Sequence, residues 1–422
     1  QETLVSVESD PDATFSRVQL VYKDLANFKP DTTVEEYNQN IVKNLFTTML
    51  NNRLKELINS NNPPFTFGST YHGGTYARSK EAFQSFAMTK EGGQLNALKV
   101  LMEETERAKR FGFTQGELDR AKAEMLSNLE KSYSNKDKTE SEMYVDEFVR
   151  NFLEGESIPG IEWEFNQFKK VAPTVTLDQV NAVVKNMVRD ENRVVVITGP
   201  KKENITQPTE AQVLSLFNEV KNAQLKPYEE KAAIKNLVAP FKSTGKIVKT
   251  ETDAKLGTTT LTLSNGAKVT YKKTDFKEDE ILFAARSLGG SSLISDADIV
   301  KTQFAFPALG EAGVNSYTKS DITKYMAGKQ VSVTPSIGGL STAFNGKTVK
   351  KDVGVLFEMV YAYFTGLNYD EGSFNAYKQK QSAIYSNLTS NPQFYFQNEV
   401  QKYLNQKNPR FTNIIPMEED WK

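Results

Sequence analysis

Alternating apolar and polar residues over 13–23 put Val18, Leu20 and Tyr22 on one face and predict a strand. The stripe Ile41, Leu45, Met49, Leu50, Leu54 and Leu57 predicts a helix over 33–58, stopped by Asn61-Asn-Pro-Pro64. Alternation returns over 65–75 and 82–89, giving two strands. Leu95, Leu98, Leu101, Met102 and Thr105 then line one face of a helix over 92–110. Thr114-Gln-Gly-Glu117 has the form of a capping box and opens a long helix carrying Leu118, Ala121, Met125 and Leu129. Thr176-Leu-Asp-Gln179 opens another, with Val180, Val183, Val184 and Met187. Val194–Ile197 reads as a short buried strand ended by Gly199-Pro200.

From about 201 to 256 apolar content falls and Lys, Glu, Asn and Pro dominate. Short helices fit 209–222 and 229–236, and residues 226–255 read as a connector between two domains, 1–225 and 256–422. Asn265-Gly266, between the alternating runs 258–264 and 267–271, predicts a hairpin. The order of elements then repeats. A strand at 281–290 answers 13–23, and a helical stretch at 297–313 answers 33–58. Strands at 331–338 and 340–344 answer 65–75 and 82–88. Helices at 351–364 and 373–388 close the series, with Lys378 standing where Lys122 stands. Hairpin-type strand neighbours with runs of helices between them indicate an α+β class: two related domains, each a mainly antiparallel sheet with helices on one face.

Composition narrows the chemistry. The 422 residues suit two or three domains. Lys plus Arg is 52 against 53 Asp plus Glu, a net charge of −1, which argues against nucleic acid as a partner and gives no reason to propose a membrane surface. No window is apolar for long enough to span a membrane. Cysteine is absent, which removes disulfides, thiolate metal sites and cysteine nucleophiles together. The one histidine, His72, would have to serve any Ser-His-Asp triad, and it reads more simply as a strand-end side chain. One imidazole and no thiol lead to the expectation that the chain holds no stoichiometric zinc.

The Gly-Gly pairs at 73–74, 92–93, 289–290 and 338–339 fit no phosphate-binding pattern and read as strand ends or close backbone approaches. Glu103-Glu104-Thr-Glu106 and Glu418-Glu419-Asp420 could hold a hard cation but read as solvated helix surface. Asn204-Ile-Thr206 and Asn387-Leu-Thr389 match the glycosylation pattern, which is short enough to arise by chance. The start lacks the basic and apolar stretches of a signal peptide and has no Met, and Met417–Lys422 looks like a helix opening that does not continue. A piece of a longer protein is expected.

Several stretches resemble the M16 peptidases, the pitrilysin, insulinase and mitochondrial-processing-peptidase family. Leu261-Thr-Leu-Ser-Asn-Gly-Ala-Lys-Val-Thr-Tyr-Lys-Lys273 is similar to the opening hairpin of one of its domains, and Ser287-Leu-Gly-Gly-Ser-Ser292 to the next strand and turn. Ser320–Val333 resembles the helix and strand that follow the metal-bearing helix. Ser9–Arg17, Asn52–Leu57 and Pro63-Pro-Phe65 resemble the family's second domain type. The likeness covers nearly the whole chain and rests on the order of these motifs.

The resemblance implies a four-domain zinc peptidase of which this chain is domains two and three, with the first and fourth domains as partners in the same polypeptide. The family's His-x-x-Glu-His motif supplies two zinc ligands and the glutamate that activates water. The matching segment here is Phe304-Ala-Phe-Pro-Ala308, with Phe304 and Ala308 in the histidine places and Pro307 in that of the glutamate. An Arg and a Tyr that hold substrate in the last domain find only Arg53 and Phe65 in a similar stretch, and neither role is carried over. The resemblance therefore implies no catalytic and no metal-binding residue in this chain, with zinc expected in the first domain. It also implies peptide substrates and, by the same likeness, a periplasmic setting. The rival expectation is an inactive relative acting as a structural or peptide-binding scaffold.

Overall fold

The computed structural model describes residues 2–410, apart from 14, 61, 241–244, 303 and 390. The N-terminal part opens with β1 (Leu4–Asp10), β2 (Ser16–Lys23) and α1 (Val34–Ile58). The hairpin β3 (Phe67–Gly74) and β4 (Glu81–Thr89) follows. Then come α2 (Gln94–Phe111), α3 (Gln115–Ser134), α4 (Ser141–Glu154), α5 (Ile161–Val171), α6 (Leu177–Met187), β5 (Arg193–Pro200) and α7 (Glu210–Asn222). Its five strands form one sheet in the order β1-β5-β2-β4-β3, antiparallel except where β1 runs parallel to β5.

The C-terminal part contains β6 (Ile247–Asp253), β7 (Thr258–Leu263), β8 (Lys268–Tyr271) and β9 (Ile281–Leu288). These are followed by α8 (Ile299–Thr302), α9 (Ala305–Ala312) and α10 (Lys319–Met326). The hairpin β10 (Val331–Ile337) and β11 (Ser341–Thr348) leads into α11 (Val353–Thr365), α12 (Glu371–Thr389) and α13 (Pro392–Leu404). Here there are two antiparallel three-stranded sheets, β10-β11-β9 and β6-β7-β8. The class is α+β. The repeated element order reappears in strand pairing: β2-β4-β3 in the first sheet has its counterpart in β9-β11-β10.

Local chemistry explains most boundaries. Thr33, Thr114, Thr176, Thr209 and Thr318 each accept a hydrogen bond from the third helical residue. The side chain of that residue bonds back to the cap backbone, so α1, α3, α6, α7 and α10 all start on complete capping boxes. The Asn265-Gly266 turn joins β7 to β8 with Gly266 at φ 85°, a conformation glycine adopts without steric cost. Gly290 lies at φ 59°, and a Cβ there would meet the Gly338 carbonyl oxygen at 2.3 Å, so this Gly-Gly pair is indeed a close backbone approach.

Three stretches differ from the sequence reading. β1 was not expected; its partner β5 lies nearly the whole N-terminal part away in sequence. Residues 139–171, left unassigned by periodicity, contain α4 and α5. Residues 229–236 form no helix, because side chains described below hold the connector in irregular form, while β6 lies inside the expected connector and pairs with β7.

The main core lies between the five-stranded sheet and the helices. Leu45, Phe46, Met49, Leu50 and Leu54 of α1 pack with Leu20, Phe83, Leu98, Leu118, Val184 and Ile197, all essentially inaccessible. Burial of each such aliphatic side chain stabilises by about 1.5–3 kcal/mol. The C-terminal part has a much smaller buried cluster, around Phe304, Ala308 and Tyr377.

Candidate functional site

A cavity of about 600 Å³ lies between α1 and α3 on one side and α10 with the start of β10 on the other. Its walls carry both signs of charge, including Glu56, Arg120, Lys324 and Lys329. On the flank formed by Glu56 and Lys324, the connector meets the wall through Tyr228. The Tyr228 hydroxyl lies 2.8 and 3.0 Å from the two carboxylate oxygens of Glu56 and accepts a 2.8 Å hydrogen bond from Lys324. Lys324 also pairs with Glu56 at 3.0 Å. Burial, and then the Glu56 charge, push the Tyr228 hydroxyl far above its ordinary value, so it stays neutral and donates. Burial lowers the Lys329 ammonium, which sits over the Tyr325 ring at 3.9 Å.

Behind this flank Arg53 is 2% exposed. Its Nε and Nη2 donate to the two Glu117 oxygens at 2.6 and 2.9 Å, and Nη2 also donates to the Gly112 carbonyl at 3.0 Å. The guanidinium is sandwiched between the Phe113 ring at 4.4 Å and the Tyr228 ring at 4.5 Å. Further along, Glu230 accepts from the Thr114 hydroxyl at 2.5 Å and pairs with Arg120. Burial would raise the Glu230 carboxyl; Thr114 and Arg120 outweigh it and hold the group below its ordinary value. Leu237 is buried and its carbonyl accepts from Asn315 at 2.8 Å. The cavity can therefore hold a polar, extended chain by hydrogen bonds and ion pairs, but no imidazole stands beside its hydroxyls to activate one.

Among the residues singled out from sequence, Arg53 is committed to the Glu117 pair and Phe65 is buried in the core at 2% exposure. The segment matching the zinc motif does not fit a metal: Phe304 and Ala308 are buried against Tyr377, Phe304 meets the Tyr385 ring edge-on at 5.9 Å, and Pro307 is exposed. Glu104 is a correction. It is 7% exposed rather than solvated, because Arg107 turns back to pair with it at 3.0 Å. Glu106 pairs with Arg110, whose guanidinium also caps α7 through the carbonyls of Val220, Lys221 and Ala223. Glu418-Glu419-Asp420 and the Asn387 side chain lie outside the described residues. His72 is not isolated: its Nε2 lies 2.9 Å from Asp24 Oδ2 and its side chain is 7% exposed. Tyr228 and Glu230 were missed, because an irregular segment has no periodicity to mark them.

No family model matches the chain. A zinc protease PQQL-like protein of Arabidopsis thaliana is 26% identical over 361 residues, 85% of this chain and 34% of that protein. The crystal structure of the ferredoxin protease FusC, solved with Arabidopsis ferredoxin, superposes with a TM-score of 0.60 over 100% of this chain and 47% of that one, at 15% identity. Pitrilysin superposes with a TM-score of 0.51 over 99% and 44%, at 12% identity. The chain thus spans about a third of the curated relative's length and under half of either solved structure. The sequence likeness and the α+β architecture extend together over most of the chain and agree: in sequence it is similar to a zinc protease PQQL-like protein, and in fold to the M16 peptidases.

Proposed function

We propose that this chain is the non-catalytic middle of an M16 zinc peptidase that hydrolyses peptides, and that it forms part of the wall of the substrate chamber. Residues 1–225 serve as the second domain, 226–255 as the connector and 256–422 as the third domain. The first and fourth domains belong to the rest of the polypeptide, and the catalytic zinc is held by the first. The periplasm expected from the resemblance is part of this reading; no described helix is long and apolar enough to cross a membrane.

The observation that carries the proposal is the pairing of an M16 fold with an apolar Phe304–Ala308 segment where the zinc motif would stand. Amide hydrolysis needs an activated water and stabilisation of the developing oxyanion. The described residues of this segment offer no ligand for a metal, so this chain's part is to bind and confine. The mixed-charge cavity suits the main chain and polar side chains of an extended peptide.

The test is to express the chain alone and joined to the preceding region of its gene, and to follow cleavage of an unstructured quenched peptide. Cleavage by the longer protein only is expected. A preceding region without His-x-x-Glu-His, and no cleavage by either, would replace the reading with an inactive scaffold.

A further inference from the structure

The end of the five-stranded sheet gathers three metal-type donors that lie far apart in sequence. In register, Tyr22 faces Phe83 and Lys23 faces Ala82, so Asp24 falls beside Glu81; the Asp24 amide donates to the Glu81 carbonyl at 2.9 Å. On the other side of β4, Gly74 faces Glu81 and His72 faces Phe83. Side chains two apart along a strand share a face. Asp24, Glu81 and His72 therefore project from the face on which Tyr22 and Phe83 stack at 6.1 Å. One ligand atom from each lies within 4.8 Å of the other two.

We propose that Asp24, His72 and Glu81 form a binding site for a zinc-type divalent cation, separate from the catalytic metal of the family. One imidazole nitrogen and two carboxylate oxygens, with water in the fourth position, make a borderline donor set that suits zinc better than magnesium or calcium. Ligand atoms around a tetrahedral zinc stand about 3.3–3.5 Å apart, so small side-chain rotations close the set. Arg189 approaches the other Asp24 oxygen, Oδ1, at 3.6 Å, which leaves Oδ2 toward the site and fixes the carboxylate's orientation. Glu81 makes no side-chain hydrogen bond or ion pair among the described residues, so its carboxylate is available. The expectation of no metal counted nitrogen and sulfur donors; here carboxylates complete the set. The bound ion would tie the exit of β2 to the β3–β4 hairpin, and binding to the folded state alone raises its stability.

Because His72 is the only histidine, one imidazole signal in the NMR spectrum of tag-free, histidine-labelled chain reports the site without assignment by mutation. Titration with zinc alone should move that signal to saturation at one ion per chain and raise the thermal midpoint. Glu81→Gln should weaken binding at least about tenfold, the lower end of what loss of even an outer-shell partner costs. A His72 signal unmoved by excess zinc overturns the proposal, and so does zinc uptake that is unchanged in His72→Ala. If His72→Ala fails to fold, the titration of the unaltered chain decides the matter by itself.

Discussion

Arg53 shows how far a side chain's role depends on what the fold places around it. In sequence it stands in a stretch resembling a substrate-holding motif; in the structure both faces of its guanidinium are covered by rings and its fork is closed on Glu117. Removing one partner of such a buried pair leaves the other charge uncompensated. Arg53→Ala should therefore cost about 3–5 kcal/mol of stability in urea unfolding. Lysine lacks the planar fork and should not restore the loss. A cost below about 1 kcal/mol would show that the pair is incidental. The same lesson applies to His72, whose sequence neighbours say nothing of Asp24 or Glu81. Their meeting depends on strand register, which no single-strand pattern specifies.

At the level of elements, legibility followed local chemistry. Capping boxes at Thr114 and Thr176 and the Asn265-Gly266 turn were readable because their signals span only a few residues. β1 was not, because its partner β5 is distant and parallel. Composition sets 226–255 apart, but Tyr228, Glu230 and Leu237 within it act through contacts with α1, α3 and the C-terminal part. Glu230 gives the connector a pH dependence of definite sign. Its folded-state value lies below the ordinary 4.5, so its contribution is present above that value and is lost as pH falls through the lowered one. Glu230→Gln should be destabilised relative to the unaltered chain at neutral pH, and the gap should close in acid; a gap that persists in acid would assign the effect to packing. α4 is the opposite kind of element. None of its residues is buried, and Val145, Phe148, Val149 and Phe152 lie on one helical face, Phe152 at 87% exposure. Replacing Phe148 and Phe152 together by Glu should leave stability within about 0.5 kcal/mol, since both rings are exposed. It should also reduce self-association in sedimentation, as expected for an exposed apolar patch. A large loss of stability would mean that packing of these two rings holds α4 in place.

For the whole molecule, the account joins a repeated strand-pairing order to a division of labour. The larger core gives the N-terminal part its own rigidity, while the C-terminal part packs against it across the connector and cavity. Gln330 donates to the Ser127 carbonyl at 3.1 Å, Lys138 to the Asp275 carbonyl at 3.2 Å, and Lys351 pairs with Glu130. In the proposed role, such an assembly shapes a peptide's path without carrying out the reaction. The most direct measurement is hydrolysis of an unstructured fluorogenic peptide by purified residues 1–422, with and without added zinc and a chelator, beside the same chain joined to its preceding region. The account predicts no cleavage by residues 1–422 under any of these conditions, and chelator-sensitive cleavage once a region bearing His-x-x-Glu-His is attached. Chelator-sensitive hydrolysis by residues 1–422 alone, free of contaminating protease, would contradict it.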